Sequence, residues 1–178
     1  MDRISTPVIA SANGATAEVQ ARVRKAAGSV PNTFAVIGAH GPEALKAVLN
    51  VDSVLAAGSL SRQELETIKL LVSVVAGCDY CVAAHSLLGK LAGLSQDVLH
   101  QIRNGEPTGD ARRDALIRFV RVLVQSSGTI AAEEFAAIKA VGYTDSQLVE
   151  ISLAIAVTVF TNVSNRINDT AIDFPVVS

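Results

Sequence analysis

The chain has 178 residues, a net charge of −2 and an apolar fraction of 49%. This length is enough for one domain whose core needs no disulfide bonds, so we expect a single domain over residues 1–178. The basic residues are scattered and the pI is about 5.9, which argues against a nucleic-acid partner.

Two apolar stretches, Leu70–Cys78 and Ile151–Val163, are shorter than the roughly 20 residues that a membrane span needs. We interpret both as buried helices and expect no membrane association. So much aliphatic surface on a small chain predicts a homo-oligomer, in which copies cover one another. Residues 1–7 lack the basic start and apolar run of a secretory signal, so a cytoplasmic location is expected.

Glycine, proline and capping residues divide the chain into apolar segments with helical spacing. Ser61 and Glu64 have the spacing of a capping box. No segment alternates convincingly with period two, so an all-α fold is predicted. The expected helices cover residues 18–27, 34–39, 43–57, 61–76, 82–92, 95–103, 110–127, 131–141 and 145–172.

An internal similarity links residues 60–68 to residues 143–151, and the apolar pattern continues after both. The similarity is compatible with two related helical units, and equally with two amphipathic helices that share a pattern. In this register only the first segment is followed by cysteines.

Cys78 and Cys81 are the only cysteines, and His85 follows one helical turn later. On a helix these three positions fall within a sector of roughly 60°, because each residue advances about 100°. Two thiols beside a base are typical of a redox site. In a reducing compartment such a Cys-x-x-Cys pair favours catalysis or metal binding over a structural disulfide.

A cysteine reacts as its thiolate, so a redox site must lower the thiol pKa. His85, at i+4 from Cys81, has the right position to take the thiol proton. Asp79 as N-cap would place Cys81 in the first helical turn, among unpaired N–H groups. Glu66, near the apolar face of the preceding helix, is the candidate that orients His85, the alternative being a solvated glutamate. We therefore predict a Cys81 pKa well below about 8.5.

Glu66, the segment Cys78-Asp79-Tyr80-Cys81 and His85 together resemble the Glu…Cys-x-x-Cys-x-x-x-His signature of the alkylhydroperoxidase D-like proteins, in the carboxymuconolactone decarboxylase superfamily. The flanking segments 30–34, 58–61 and 162–169 resemble the peroxidase-related branch. The resemblance covers residues 30–175, where it places the domain core.

The resemblance implies an all-helical domain, assembly into trimers or hexamers, and reduction of a hydroperoxide substrate. It implies that Cys81 is the peroxidatic nucleophile, that Cys78 resolves, that His85 relays the proton and that Glu66 sets the histidine. An external dithiol or a thioredoxin-like protein would be the reductant. No cofactor and no resident metal are expected.

Tyr80 departs from the signature of the founding alkylhydroperoxidase D proteins, which have a second histidine between the cysteines. Its hydroxyl has the chemistry to donate a hydrogen bond to a peroxide oxygen. On a continuous helix, however, it would point away from the sulfurs and serve packing or capping. Asn162 and Asn165 need partners if buried, either at the site or at an interface.

Three other functions fit parts of the pattern. Cys78, Cys81, His85 and Glu66 have the donor types of a four-ligand zinc site. The superfamily also includes lactone decarboxylases, although those members generally lack the cysteine pair. A non-enzymatic redox sensor, whose disulfide changes its assembly, is the alternative of a different class.

Overall fold

The computed structural model describes residues 3–5, 9 and 12–175. Within these residues the chain forms nine α-helices and no strand, which confirms the all-α prediction. Part of the segment used to argue against a secretory signal lies outside the described residues. The helices are α1 Gly14–Ala27, α2 Asn32–His40, α3 Pro42–Ala56, α4 Arg62–Ala76, α5 Asp79–Leu91, α6 Gln96–Asn104, α7 Ala111–Gln125, α8 Ala132–Ala140 and α9 Asp145–Asn168.

Helix α4 lies at the centre of the fold and packs against α5, α7 and α9. It begins with the predicted capping box. The Ser61 hydroxyl oxygen accepts from the Glu64 N–H at 3.2 Å, and Glu64 Oε2 accepts from the Ser61 N–H at 2.8 Å. Ile68, Leu70 and Leu71 are fully buried and anchor the larger core cluster. Glu66 therefore lies on the central helix of the fold, and α5, which carries Cys81 and His85, packs directly against it.

The junction between α4 and α5 positions the two cysteines. Gly77 ends α4 at φ +64°, a left-handed conformation that glycine adopts without strain. The Cys78 N–H then donates to the Ser73 carbonyl at 3.0 Å. Cys78 itself is the N-cap of α5, so the predicted cap, Asp79, is instead the first helical residue. Cys81 still lies in the first turn, as expected.

Three helix ends differ from the predicted bounds by three residues or more. Helix α1 begins at residue 14 rather than 18. The sequence did not predict this start, because the first turn has no apolar periodicity. Helix α5 begins at residue 79 rather than 82. Helix α9 ends at Asn168 rather than at residue 172, because Asp169 takes the left-handed conformation at φ +57°. Residues 170–175 then form a non-helical segment, called here the C-terminal strap.

The internal similarity between the two halves extends to their caps. Thr144 and Gln147 form a second capping box at the start of α9, matching the one at α4. The two units diverge further on: α4 stops at Gly77, whereas α9 continues without a break for 24 residues. The interruption that creates a helix N-terminus at the cysteines occurs only in the first unit.

Helix α9 has an apolar outer face as well as a buried one. It is long and apolar enough to cross a membrane by length and composition, with 33% of its most apolar window buried. The apolar stretch 151–163, which is predicted to be too short for a membrane span, covers only part of this helix. Core helices of soluble proteins pass the same test, and the buried side of α9 carries Thr158, Asn162 and Asn165. The exposed apolar residues, called here the outer α9 face, are Val149, Val159, Phe160, Val163 and Ile167.

Candidate active site

The two cysteine sulfurs are in close contact at the N-terminus of α5. Cys78 Sγ and Cys81 Sγ lie 2.6 Å apart, and both residues are free thiols with 2% and 3% of their surface exposed. A disulfide bond of about 2.05 Å would need only a small approach of the sulfurs. The pair is thus arranged to exchange between dithiol and disulfide.

The hydrogen bonds within the pair make the two thiols unequal. The hydrogen bond between the two sulfurs, and the bond from the Cys81 N–H to Cys78 Sγ, lower the pKa of Cys78 against the opposing effect of burial. The same bond, together with burial, raises the pKa of Cys81. The direction for Cys81 is opposite to the lowered pKa that the sequence predicts, whereas the pKa of Cys78 is the one that is lowered.

Glu66 and His85 are brought together from α4 and α5. His85 Nδ1 lies 2.9 Å from Glu66 Oε2. The His85 side chain is 14% exposed and the Glu66 side chain 15%. Burial alone would raise the pKa of Glu66, but the contact with His85 and the nearby charge of Lys69 hold it below its usual value. A carboxylate fixed in this way sets the orientation of the imidazole.

A cavity of about 650 Å³ opens beside the site. Among the residues that the structure describes, Cys81 lines this cavity and Cys78 does not. His85, Tyr80 and Asn165 form a polar part of its wall. The apolar part includes Phe34, Val48, Ala84, Leu87, Leu88, Leu91, Val157 and Phe174. A molecule bound in this cavity would meet the Cys81 sulfur first.

Lys69 and Asp52 also line the cavity, and the sequence analysis did not identify them. Lys69 Nζ lies 2.8 Å from Asp52 Oδ1. Lys69 is one helical turn beyond Glu66 on α4, and its positive charge contributes to lowering the Glu66 pKa. In the sequence, the i+3 spacing from Glu66 indicates that Lys69 lies on the same side of α4 as Glu66, but no signal identifies Asp52 as its partner.

The Tyr80 hydroxyl is occupied by protein partners. It donates to Asp173 Oδ1 at 2.8 Å and accepts from the Thr33 N–H at 3.2 Å. Its ring stacks edge-on against Phe174, with centroids 5.3 Å apart. Burial and the neighbouring Asp173 carboxylate raise the pKa of Tyr80, so it stays a phenol. The geometry favours the packing alternative, in which Tyr80 anchors the C-terminal strap.

The two asparagines of α9 have different partners. Asn165 Nδ2 donates to Cys81 Sγ at 3.2 Å, whereas Asn162 Oδ1 accepts from the Ser73 hydroxyl at 3.2 Å. Asn165 therefore belongs to the site, and Asn162 to the packing between α9 and α4. The sequence left these two positions undecided, because the partner of each comes from a distant helix.

The donor atoms are not arranged as a zinc site. The described residues contain no group of three or more His, Cys, Asp or Glu side chains placed to hold a metal ion. Two thiolates on one tetrahedral zinc are about 3.7 Å apart, given Zn–S bonds of about 2.3 Å. The two sulfurs here are closer, at 2.6 Å, and Nδ1 of His85 faces Glu66.

Comparison with known proteins gives a family match for the central part of the chain. The model of the carboxymuconolactone decarboxylase family matches residues 42–119, which include Glu66, both cysteines and His85. No curated protein matches the chain.

Solved structures share the fold at low sequence identity. An uncharacterized peroxidase-related protein with an alkylhydroperoxidase AhpD core, from Ralstonia eutropha JMP134, has a TM-score of 0.85 and 23% identity over 97% of this chain and 92% of its own. A putative antioxidant defence protein AhpD from Agrobacterium tumefaciens has a TM-score of 0.68 and 24% identity over 76% of this chain and 93% of its own. The debrominase Bmp8 has a TM-score of 0.80 and 19% identity over 97% of this chain and 93% of its own. The family match over residues 42–119 and these likenesses in fold support the resemblance to the alkylhydroperoxidase D-like proteins of the carboxymuconolactone decarboxylase superfamily.

Proposed function

We propose that the protein is a dithiol peroxidase that reduces organic hydroperoxides through Cys81 and Cys78. The observation that carries this proposal is that Cys81 lines the cavity while its sulfur lies 2.6 Å from that of Cys78. One sulfur can meet a substrate and the other is already within reach to resolve the product. The Glu66–His85 pair supplies a route for protons beside them.

The first step oxidises Cys81. The Cys78 thiolate accepts the Cys81 proton while the Cys81 sulfur attacks the outer oxygen of the hydroperoxide. The O–O bond breaks, Cys81 becomes a sulfenic acid, and the alkoxide leaves as an alcohol after it takes a proton delivered through His85. Glu66 keeps the imidazole oriented for this transfer.

The second step forms the disulfide and leaves the enzyme to be reduced. The Cys78 sulfur attacks the sulfenic sulfur, and the hydroxyl leaves as water with the Cys78 proton. An external dithiol or a thioredoxin-like protein then returns two electrons by thiol–disulfide exchange. Both sulfurs are nearly inaccessible in this conformation, so the reductant must displace part of the cover over them.

The assembly that we propose is a homo-oligomer, a trimer or a hexamer, held by the outer α9 face. Phe160, Val163 and Ile167 on this face are each more than two-fifths exposed, at 43%, 45% and 59%. Apolar side chains grouped in this way mark association surfaces. We propose the cytoplasm as the compartment, because its reducing conditions keep both cysteines as thiols.

Reductive dehalogenation of a halogenated aromatic compound is a second candidate. The apolar cavity of about 650 Å³ has room for an aromatic ring as well as for an alkyl chain. One structure of the debrominase Bmp8, with 19% identity and a TM-score of 0.78, holds 2,3,4-tribromopyrrole in a cysteine-to-alanine variant. In such a reaction the Cys81 sulfur would take the halogen, a proton would replace it on the ring, and Cys78 would release halide as the disulfide forms.

The test is single-turnover oxidation of the pre-reduced protein by cumene hydroperoxide, with thiols counted afterwards. We expect loss of two thiols per chain and one alcohol formed. Cys81→Ser should abolish the reaction, whereas Cys78→Ser should give one slow turnover that ends in a trappable sulfenic acid. The reverse pattern would exchange the two roles. Slow oxidation of the unsubstituted protein would favour the redox sensor, and oxidation by 2,3,4-tribromopyrrole but not by peroxide would favour dehalogenation.

A further inference from the structure

Asn165 is the only side chain from α9 whose contact with a reacting atom is seen among the described residues. Its Nδ2 lies 3.2 Å from Cys81 Sγ, and the residue is 4% exposed. It also lines the cavity that Cys81 faces. An amide N–H held against a sulfur stabilises negative charge on that sulfur.

The oxygen of the same amide is unsatisfied. Asn165 Oδ1 is buried and has no hydrogen-bond partner within the described part of the chain. Thr33 Oγ1, on another residue of the cavity wall that is 8% exposed, is likewise without a partner there. Buried polar atoms are rarely left unpaired, so both oxygens point to a ligand that brings a hydrogen-bond donor into the cavity. The terminal O–H of a hydroperoxide is such a donor.

We propose that Asn165 is a further catalytic residue of the dithiol reaction, whose N–H stabilises negative charge on the Cys81 sulfur and whose oxygen receives the O–H of the substrate. This inference rests on the proposed function and names the group that aligns the substrate with the nucleophile. The amide holds both reaction partners at once, the sulfur through Nδ2 and the hydroperoxide through Oδ1.

The hydrogen bond to sulfur acts when the charge moves. At rest the contact with Cys78 and burial disfavour a charge on Cys81, so its sulfur is a weak acceptor. As Cys78 takes the proton, the charge arrives on Cys81 Sγ and the bond from Asn165 becomes charge-assisted, which roughly doubles its strength. A donor already in place costs no reorganisation at that moment. Asn165 therefore offsets the effect by which Cys78 raises the pKa of Cys81.

The experiment measures the titration of Cys81 alone, in a Cys78→Ala background that removes the neighbouring sulfur. Thiolate absorbance and iodoacetamide rate are followed against pH for this parent and for the added substitutions Asn165→Ala and Asn165→Asp. We expect Asn165→Ala to slow alkylation at neutral pH at least about tenfold by raising the Cys81 pKa. Asn165→Asp should slow it further, since a carboxylate replaces the N–H with a like charge.

Asn162→Ala is the matched control, because it removes the same side chain one turn earlier on α9, where the partner is Ser73. It should lower the melting temperature without moving the Cys81 pKa. An Asn165→Ala variant with an unchanged or lowered Cys81 pKa would overturn the inference, and so would an equal shift in Asn162→Ala.

The contact between Asn165 and the substrate is tested in the protein that retains both cysteines. There Asn165→Ala should lower the single-turnover rate with cumene hydroperoxide by more than its effect on alkylation, because the contact with the O–H is lost as well. Equal losses in the two reactions would remove the substrate contact from the inference. If no variant and no parent consumes peroxide, the proposed function fails, while the thiol titration still decides whether Asn165 stabilises the thiolate.

Discussion

Cys78 Sγ lies 2.6 Å from Cys81 Sγ and accepts a hydrogen bond from the Cys81 N–H at 3.4 Å. These contacts lower the pKa of Cys78, which does not line the cavity, while the contact with Cys78 and burial raise the pKa of Cys81, which does. In the proposed mechanism Cys78 serves as the base for Cys81 before it serves as the resolving thiol. A dithiol with this division of labour needs no separate base in contact with the nucleophile.

The first prediction concerns the acidity of each thiol. Cys81→Ala removes the thiol that donates to Cys78, so the pKa of Cys78 should rise by about one unit. Cys78→Ala removes the acceptor that ties up the Cys81 proton, so the pKa of Cys81 should fall. Ultraviolet absorbance of the thiolate against pH measures both single-cysteine variants. A Cys78 pKa that is the same with and without Cys81 would contradict the proposed proton sharing.

The second prediction concerns Glu66. Its folded-state pKa is below the ordinary value, so its carboxylate stabilises the fold above the unfolded pKa of about 4.3. That contribution is lost as the pH falls through the folded-state pKa. Glu66→Gln should therefore lower the free energy of unfolding by about 1–3 kcal/mol at neutral pH and by progressively less in acid.

Chemical denaturation at a series of pH values measures this difference. Glu133→Gln, at an exposed position on α8, is the control and should leave the stability unchanged at each pH. A destabilisation by Glu66→Gln that is equally large in strong acid would show that packing, and not the carboxylate beside His85, is responsible. The variant should also slow thiol oxidation, since the imidazole loses its fixed orientation.

Local patterns predicted the helices and part of the site. The capping box formed by Ser61 and Glu64 fixes the start of α4 within a few residues. Helical spacing then places Glu66 on the side of α4 that faces α5. The contact between Glu66 and His85 follows because their two helices are consecutive, are joined by a short turn and pack against each other. Each of these inferences uses residues that lie close together in the chain.

Contacts between distant residues were beyond prediction from one sequence. Asn165 reaches Cys81 across 84 residues, and Asp173 reaches Tyr80 across 93. Nothing in the local pattern of α9 distinguishes Asn165 from Asn162. The acidity of the two thiols also depends on which sulfur receives the hydrogen bonds, and helical spacing alone does not determine that.

The third prediction concerns the C-terminal strap, which Tyr80 holds through Asp173 while Asn32 donates to both Asp173 and Ala171. Tyr80→Phe removes the bond to Asp173 and should lower the free energy of unfolding by about 1 kcal/mol. A looser strap should also expose the sulfurs, so a bulky thiol reagent should react faster. Tyr143→Phe, at the other tyrosine and away from the cysteines, should not change that rate. Equal acceleration in both variants would point to general loosening.

The last prediction concerns the outer α9 face. If this face holds copies of the chain together, a charge placed in it would be buried without a partner, which is costly. Phe160→Glu should therefore shift the protein from an oligomer to a monomer in light scattering. Phe135→Glu makes the same change on α8, where the phenylalanine is exposed to a similar degree, at 46% against 43% for Phe160. It should leave the oligomer intact, and a monomer in both variants would place the interface elsewhere or make it broader than α9. A Phe160→Glu variant that remains an oligomer would contradict the proposed assembly.

Since the buried side of α9 carries Asn165, dissociation should also test whether the site depends on assembly. A monomer with unchanged thiol titration would show that one chain holds the complete site.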